Sequence, residues 1–428
     1  MSPACSAPSP SSTGVLGGSP SERLRQFRRQ NTTSAGAAVT TTRSETVFEE
    51  DCAEYSDRFM PGYDKVRLLG RGACAVVWLA TATGNRQHHV AIKQAAKGNT
   101  GKKLSDAASA RKEVFFGSYL FHPGGEPKFS VAQYPGIRHI AKLLDHIETK
   151  RDIWLVMEFG GTCLTKLAYE IKGEFIRTER VYRVHHLSLL QSMKQRPNIL
   201  KSMFRQLLSA LIVLADNGIV HSDIKPDNIL LEEDQDGWRA RLIDMGSAYA
   251  FGSNEGVQVA TPEYMPPEAL EACATRNSSL GGVSGRMGAS GRFSVPTSAQ
   301  RRAPAAAMMP AVSLAGAEAK PWSFDVWSLG AILLELSLGV PLWLAYKCRV
   351  ADDQPAMGLF AVPGRDSEKI LGRQSDAIRQ RGLHVVLRNS LGAPISDIEL
   401  LSAMLAWSPT DRVSPHNALG HPWLQDVA

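Results

Sequence analysis

The order of strand-like and helix-like segments along this chain places the strongest constraint on its fold. From Tyr63 onward, five short runs of apolar or β-branched residues are separated by Gly and polar turns: "YDKVRLLG", "AVVWLAT", "HHVAIKQ", "IAKLLDHIE" and "DIWLVMEF". They predict five strands, interrupted after the third by a helical segment, "SDAASARKEVFFGSYLF". Beyond Gly160 apolar residues recur at intervals of three and four, most clearly over 199–218, where Gly218 supplies a helix stop. A strand-rich part followed by a helix-rich part is therefore predicted.

The net charge of +6 comes from two polar segments. Residues 1–44 and residues 273–319 each contain five Arg and one Glu, so together they supply +8 and the remainder sums to −2. This disfavours a nucleic-acid-binding core, because the basic residues do not form a patterned face. The six cysteines are scattered without metal-like spacing, which is typical of a reducing compartment.

Composition also predicts the domain boundaries. Residues 1–57 are rich in small polar residues and are expected to be a disordered tail; residues 58–160 form one unit and 161–428 a second. Within the second unit we expect a charged, partly helical insert at 165–198 and a low-complexity insert at 273–319. The apolar stretch 324–346 contains two acids and predicts a buried helix, with no membrane span. An intracellular protein, cytoplasmic or nuclear, is expected, with an organelle address in the Arg-containing start as the alternative.

The first candidate site is a Gly-rich hairpin followed by a lysine. Gly70 and Gly72 lie between two predicted strands, where backbone N–H groups can approach phosphate oxygens. Lys93, in "VAIK", lies within a later strand among apolar neighbours and needs an anionic partner, for which Glu113 is the candidate. A plain turn and a surface lysine are the alternatives.

The second candidate site is "IVHSDIKPDNILLE" (219–232) followed by "LIDMGSA" (242–248). Asp223 has the chemistry to accept a proton from an attacking hydroxyl, and Lys225 to neutralise a transferred phosphoryl group. Asn228 and Asp244 offer the hard oxygen ligands that Mg²⁺ prefers. A base, two metal ligands and nearby cations are what phosphoryl transfer requires.

These motifs resemble those of the eukaryotic-type protein kinases, over about residues 60–428. "HSDIKPDN" stands for H-R-D-x-K-P-x-N, "DMG" (244–246) for D-F-G, "TPEYMPPE" (261–268) for the segment ending in A-P-E, and "DVWSLG" (325–330) for the central helix. The resemblance implies an α+β, two-lobed kinase fold: five antiparallel strands and one helix over a mainly helical large lobe. ATP and Mg²⁺ are the implied cofactors, and protein Ser/Thr hydroxyls the implied substrates.

The resemblance also implies roles for single residues. Lys225 with Thr261 is similar to the Ser/Thr-specific subclass, and Glu268 with Arg412 is similar to an ion pair that braces the large lobe. The catalytic candidates are Asp223, Lys225, Lys93, Glu113 and Thr261, and the metal ligands are Asn228 and Asp244. The nucleotide-binding candidates are Leu69, Gly70, Gly72, Val77, Ala91, Lys93, Met157, Glu158, Gly160 and Leu230.

Three departures from the family pattern raise questions. Ser222 replaces an arginine that usually needs a phosphate on the activation segment, so we expect no such phosphate here. Gly117 falls where an apolar residue is expected, so either Phe116 fills that place or Glu113 is misassigned. Glu335 matches a position that can recognise basic residues before the acceptor, although its usual acidic partner is replaced by Leu164.

Three functional readings remain at this stage. An active Ser/Thr protein kinase is favoured because all five chemistry-bearing residues have the required type. A pseudokinase scaffold that binds ATP without transfer is the alternative, and a small-molecule phosphotransferase is a third. A regulatory partner at either insert is a further expectation.

Overall fold

The structure is a computed structural model that describes residues 23–24, 26–27, 60–71, 75–97, 101–176, 179–253, 256–258, 261–279, 308–310, 319–350, 354–394 and 398–425. The small lobe is a five-stranded antiparallel sheet in the order β1-β2-β3-β5-β4. Its strands are β1 (Tyr63–Arg71), β2 (Ala75–Ala82), β3 (Asn85–Ala96), β4 (Leu143–Glu148) and β5 (Asp152–Glu158). One helix, α1 (Gly101–Leu120), lies between β3 and β4. The predicted small lobe is confirmed.

Both faces of this sheet are covered by apolar side chains. Ile92 and Val156 are cross-strand neighbours and pack with Met60 and Trp154 in a cluster on one face. On the other face, Leu155 belongs to a cluster that includes alanines of α1. Because successive strand residues point to opposite faces, coverage on both sides explains why β2 and β5 contain nearly continuous apolar runs.

The large lobe is built around two long apolar helices, α4 (Pro197–Asp216) and α6 (Ser323–Leu338). Every residue from Ser323 to Ser337 is buried, as expected for a helix that is apolar on all sides. Gly218 follows α4 with a φ of 65°, the left-handed conformation that glycine adopts readily, so the predicted stop is in place.

The remaining elements follow in chain order. The helices are α2 (Leu164–Ala168), α3 (Ser188–Gln195), α5 (Pro267–Ser279), α7 (Ser367–Gln374), which runs into a π-helical turn (Ser375–Arg381), α8 (Leu383–Val386), α9 (Ile398–Met404), α10 (Pro415–Leu419) and α11 (Pro422–Gln425). The short strands are β6 (Thr162–Cys163), β9 (Ile219–Val220), β10 (Ile229–Asp234), β11 (Gly237–Leu242) and β12 (Tyr249–Ala250).

The predicted charged, partly helical insert at 165–198 is helical only at its two ends, in α2 and α3. Between them lies a β-hairpin that was not predicted, formed by β7 (Tyr169–Ile176) and β8 (Glu179–His186). Two strands from far along the chain, β15 (Cys348–Val350) and β16 (Gln354–Ala356), complete a four-stranded sheet in the order β16-β15-β8-β7. Tyr182 and Val184 are buried two residues apart, the period of a strand, and the surrounding charges obscured that pattern.

The two low-complexity segments lie mostly outside the described residues. Of the predicted insert at 273–319, the structure describes residues 273–279 at the end of α5, residue 319, and β14 (Met308–Pro310). β14 pairs with β13 (Gly256–Gln258). Of the predicted tail at 1–57, residues 23, 24, 26 and 27 are described; they are helical, and Leu24 is only 3% exposed. For these four residues the expectation of disorder is wrong, because Leu24 and Phe27 have apolar surface to bury.

Among the described helices, α4 alone is long and apolar enough to cross a membrane. More than half of it is buried within the large lobe, so length and composition are weak evidence here. The apolar stretch at 324–346 begins with α6 and is a core helix, as predicted.

Candidate active site

Side-chain alternation in the small-lobe sheet places several predicted residues together. Val77 of β2 is aligned with Lys93 of β3, and Ala91 of β3 is aligned with Met157 of β5. Residues two apart along a strand share a face, so all four side chains lie on one face of the sheet. Ala91 is buried and the other three are half-buried. The result is an apolar surface that contains one lysine.

Lys93 is bonded to two carboxylates from different elements. Its Nζ donates to Glu113 Oε2 of α1 at 2.6 Å and to Asp244 Oδ1 at 2.9 Å. Burial alone would lower the pKa of Lys93, but Asp244 and Glu113 together raise it, so the ammonium stays charged. Burial raises the pKa of Glu113 to about 7 even though Lys93 opposes that shift. The predicted lysine–glutamate pair is present, and a third group shares it.

Asp244 lies at the junction between the lysine and the open cleft. Its backbone adopts a left-handed conformation, φ 67°, and its Oδ1 also accepts a hydrogen bond from Gly246 N. Burial acts to raise the pKa of Asp244, but the charge and hydrogen bond of Lys93 lower it to about 2. The side chain is still 40% exposed. An ionised, accessible carboxylate suits the predicted metal-ligand role.

Asp223 and its neighbours form a second polar cluster. Asp223 accepts hydrogen bonds from Lys225 Nζ at 2.6 Å and from Thr261 Oγ1 at 2.9 Å, and Lys225 Nζ also donates to Thr261 Oγ1 at 3.0 Å. Burial opposes the charge of Lys225, but Asp223 raises its pKa above the ordinary value. Asn228 Nδ2 donates to the backbone and side chain of Asp223. The Asn228 amide oxygen is therefore the atom available to a cation.

A buried aspartate of α6 holds the loop that bears Asp223. Asp325 accepts hydrogen bonds from the backbone N–H groups of His221 at 2.8 Å and Ser222 at 2.9 Å. Ser222 has a φ of 62°, and its hydroxyl donates to the Ser247 carbonyl at 2.8 Å. Sequence reasoning missed this role of Asp325. The available signal was an acidic residue inside an apolar stretch, since a buried carboxylate requires donors.

The hinge between the lobes depends on two glycines and an arginine. A Cβ on Gly160 would lie 3.2 Å from the Leu230 side chain, and one on Gly161, whose φ is +94°, would lie 2.2 Å from a β10 carbonyl oxygen. Arg241 of β11 is buried and pairs with Glu158 of β5 at 3.6 Å and with Glu232 of β10 at 3.0 Å. Of the predicted hinge residues, Gly160 thus lies against β10 and Glu158 pairs with β11; the role of Arg241 was not predicted.

The Gly-rich hairpin is described only in part. Leu69 lies at a bulge in the β1–β2 pairing, and Gly70 is aligned with Val77. A Cβ on Gly70 would meet no described atom within 4 Å, so its backbone is open to approach. Gly72, predicted to contact the nucleotide, lies outside the described residues.

Gly117 is explained by the packing of α1. A Cβ at this position would lie 2.9 Å from the side chain of Leu143, so Leu143 fills the space that a side chain would occupy. Phe116 is buried, and Glu113 bonds Lys93. The helix register that assigns Glu113 as the partner of Lys93 is therefore the one observed.

Two further predicted carboxylates lie inside the large lobe. Glu268 forms a bidentate pair with Arg412, both contacts 2.6 Å, as the resemblance implies. Glu335 is 1% exposed; Tyr264 Oη donates to its carboxylate, and so does Leu342 N at 2.9 Å. In this arrangement Glu335 presents no free carboxylate to a substrate, so it gives no support to recognition of basic residues before the acceptor.

Comparisons with known proteins agree with this geometry. The model of the protein kinase domain matches residues 63–280. A probable inactive protein kinase of Arabidopsis thaliana is 26% identical over 68% of this chain and 85% of its own length. Mitogen-activated protein kinase 15 of Rattus norvegicus is 28% identical over 87% of this chain, and protein kinase gsk3 of Schizosaccharomyces pombe is 26% identical over 58%. This chain covers 56% and 54% of those two relatives.

The family model covers half of the chain, from the first strand of the small lobe into α5. Within that range lie the small lobe, the lysine shared by two carboxylates, and the loop of Asp223. The chain belongs to the protein kinase family.

Proposed function

We propose that the protein is an active Ser/Thr protein kinase that transfers the γ-phosphoryl group of ATP to protein hydroxyls. The observation that carries this proposal is the double engagement of Lys93 with Glu113 and Asp244, at 2.6 and 2.9 Å. This arrangement joins β3, α1 and the segment after β11 around one charged lysine. Phosphoryl transfer depends mainly on positioning and on stabilising charge, and this cluster supplies both.

Asp223 is proposed to orient the acceptor hydroxyl and to take its proton. Lys225 lies 2.6 Å from Asp223 and is proposed to neutralise the transferred phosphoryl group. Thr261 bonds both residues and holds them in one geometry. Because Thr261 opens the segment that leads into α5, its bonds tie the position of that segment to the catalytic residues.

Asn228 and Asp244 are the residues that would hold Mg²⁺, and the donor set fits, since each offers a hard oxygen. The metal would supply neutralisation of the phosphate charge. Lys93 would contact the phosphates from the sheet side, and Val77, Ala91, Met157 and Leu230 would surround the adenine. The backbones of Glu158 and Gly160 would provide its hydrogen bonds.

Ser222 supports control without an activation-segment phosphate. Its hydroxyl is bonded inside the protein, so the position before Asp223 presents no cation that a phosphate would neutralise. Between Gly246 and Thr261 the sequence has two serines and no threonine, and those serines are Ser247 and Ser253. We expect Ser253→Ala to retain phosphate transfer. If that variant loses activity and Ser253→Glu restores it, the hypothesis is wrong.

A pseudokinase scaffold is the second candidate, because one relative is described as a probable inactive protein kinase. That description concerns the relative. In this chain Lys93, Glu113, Asp223, Asn228 and Asp244 all have the type that transfer requires. The two candidates differ in one outcome, namely whether phosphate leaves ATP for a hydroxyl.

The deciding experiment measures phosphate transfer from ATP with Mg²⁺ to a degenerate Ser/Thr peptide library. Wild-type protein is compared with Asp223→Asn, after phosphatase treatment of both. Asp236→Asn, at the exposed turn between β10 and β11, is the matched control and should behave like wild type. We expect a loss of about 10²–10⁴-fold in Asp223→Asn, the range for a general base. Equal background rates in all three proteins, with ATP binding intact, would favour the scaffold.

A further inference from the structure

The N-terminal segment, meaning residues 23, 24, 26 and 27, packs against α1. Leu24 is 3% exposed and belongs to the large core cluster. The Phe27 ring makes edge contacts with Phe115, at 5.6 Å between centroids, and with Tyr119, at 5.2 Å. The ammonium of Lys128 lies 4.9 Å from the centroid of the Phe27 ring. The segment therefore fills an aromatic site on α1.

The same segment also reaches the large lobe. Arg23 Nη2 donates to the backbone carbonyl of Asp216, the last residue of α4, at 3.3 Å. The next residue, Asn217, accepts a hydrogen bond from Tyr119 Oη of α1 at 3.4 Å. The N-terminal segment thus touches both α1 and the end of α4, and α1 itself meets α4 at the same place.

This location matters because α1 bears Glu113. Phe115 and Tyr119 lie two and six residues after Glu113 on the same rigid helix. On its other side α1 packs closely against Leu143, because a Cβ on Gly117 would lie 2.9 Å from the Leu143 side chain. A shift of the Phe115–Tyr119 end would move Glu113 relative to Lys93, because a helix transmits displacement along its length.

We propose that the N-terminal segment is an intramolecular positioning element that holds α1 against the large lobe and so keeps Glu113 on Lys93. Leu24 and Phe27 are positioning residues that act through α1. The aromatic site on α1 is then a docking site whose occupant is this chain's own N-terminal segment. The effect on catalysis rests on the proposed kinase function, whereas the docking itself does not.

The test uses the full chain with Phe27→Ala, Leu24→Asp and the conservative Phe27→Met. Phe175→Ala is the matched control, because Phe175 is 74% exposed on β7, an element separate from α1 and the N-terminal segment. Two quantities are measured: amide hydrogen exchange of α1, with α6 as internal reference, and kcat and KM for ATP and peptide.

We expect α1 amides to exchange about tenfold faster in Phe27→Ala and Leu24→Asp while α6 is unchanged, since local opening is governed by local contacts. We expect kcat to fall about tenfold with the peptide KM within about twofold, because small displacements of catalytic groups slow chemistry. Phe27→Met should restore most of both quantities, and Phe175→Ala should match wild type.

Unchanged exchange of α1 in Phe27→Ala and Leu24→Asp overturns the proposal, whatever happens to activity. Faster exchange with unchanged kcat overturns the positioning of Glu113. If wild-type protein transfers no phosphate, the proposed function fails independently of the docking. The exchange of α1 amides then decides whether the segment docks on α1. Faster exchange in Phe27→Ala and Leu24→Asp than in wild type supports docking, and equal exchange overturns it.

Discussion

Two buried ion pairs in this protein have the same chemistry and different surroundings. Lys93 pairs with Glu113 within the small lobe and is shared with Asp244 of the large lobe, whose side chain is 40% exposed. Arg412 pairs with Glu268 inside the large lobe, with no exposed side-chain surface on the arginine. The first cluster reaches solvent mainly through Asp244, whereas in the second the cation is fully enclosed and only the Glu268 side chain, 21% exposed, reaches the surface.

The donors of the two cations are used differently. The guanidinium of Arg412 donates hydrogen bonds to Glu268 and to the carbonyls of Ser323, Ala406 and Trp407. It also lies 4.9 Å from the centroid of the Trp327 ring. Among the residues that the structure describes, Lys93 donates hydrogen bonds to the two carboxylates alone. An arginine whose donors are all hydrogen-bonded stabilises the fold. A lysine between two carboxylates stays charged and can still contact a third, anionic partner.

The largest expected effect is on phosphate transfer in Lys93→Met. Removing the ammonium should lower kcat/KM by about 10²–10³-fold, the range for losing one charge-stabilising group at a reacting centre. The change is measured with the peptide assay at saturating Mg²⁺. Lys97→Met, on a lysine that pairs with the half-exposed Glu148, is the control and should stay within about threefold of wild type. Equal losses in both variants would mean that Lys93 has no special role.

Glu268→Gln should have the next largest effect, on stability. It leaves the buried Arg412 charge without its carboxylate, and breaking a buried pair from one side costs about 3–5 kcal/mol. Urea unfolding should show this loss in the free energy of unfolding, while kcat per folded molecule stays near wild type. A stable Glu268→Gln protein with lost activity would reverse the roles that we assign to the two pairs.

Glu113→Gln should separate activity from stability. Transfer should fall by about tenfold or more because Lys93 loses one of its two anchors. At pH 8 the free energy of unfolding should be unchanged or higher, because the variant removes a carboxylate whose ionisation is disfavoured by burial. Urea unfolding and the peptide assay on the same preparation test both parts. A stability loss as large as that of Glu268→Gln would mean that both pairs are structural.

The smallest expected effect is a pH dependence that only the cleft pair shows. The pKa of Glu113 is raised from 4.5 to about 7 in the folded protein, so between those values the folded state binds the proton more tightly than the unfolded state. Ionising Glu113 therefore lowers stability as the pH rises from about 4.5 to 7. Transfer should change in the opposite sense and rise with pH around a midpoint near 7, because only ionised Glu113 pairs with Lys93. The kcat–pH profile of Glu113→Gln should lack this limb.

The sequence was a good guide to the small lobe. Five runs with strand character and one helical run predicted the observed sheet and α1, because strand alternation and helix periodicity are local properties. It was a poor guide to the insert at 165–198. There β8 pairs in parallel with β15, and Tyr182 is aligned with Cys348. A local sequence pattern cannot predict a strand partner so distant in the chain.

The predicted nucleotide-binding residues show the same division. The alternation that places Val77, Ala91 and Lys93 on one face of the sheet is legible in the sequence. The role of Asp325 in holding the Asp223 loop is not, because its two backbone donors lie 103 and 104 residues away. Arg241 behind the hinge was missed for the same reason.

By itself, the sequence determined which chemistry is possible: a lysine, carboxylates and an asparagine of the required types, in the order of the protein kinase family. The tertiary structure decided which of these groups meet. Lys93 and Asp244 are 151 residues apart, Glu268 and Arg412 are 144 apart, and the contacting rings of Phe27 and Tyr119 are 92 apart. The charge of a side chain is a property of the residue, whereas an ion pair also requires that two charged groups lie close together. Only the packing of the folded chain sets that distance.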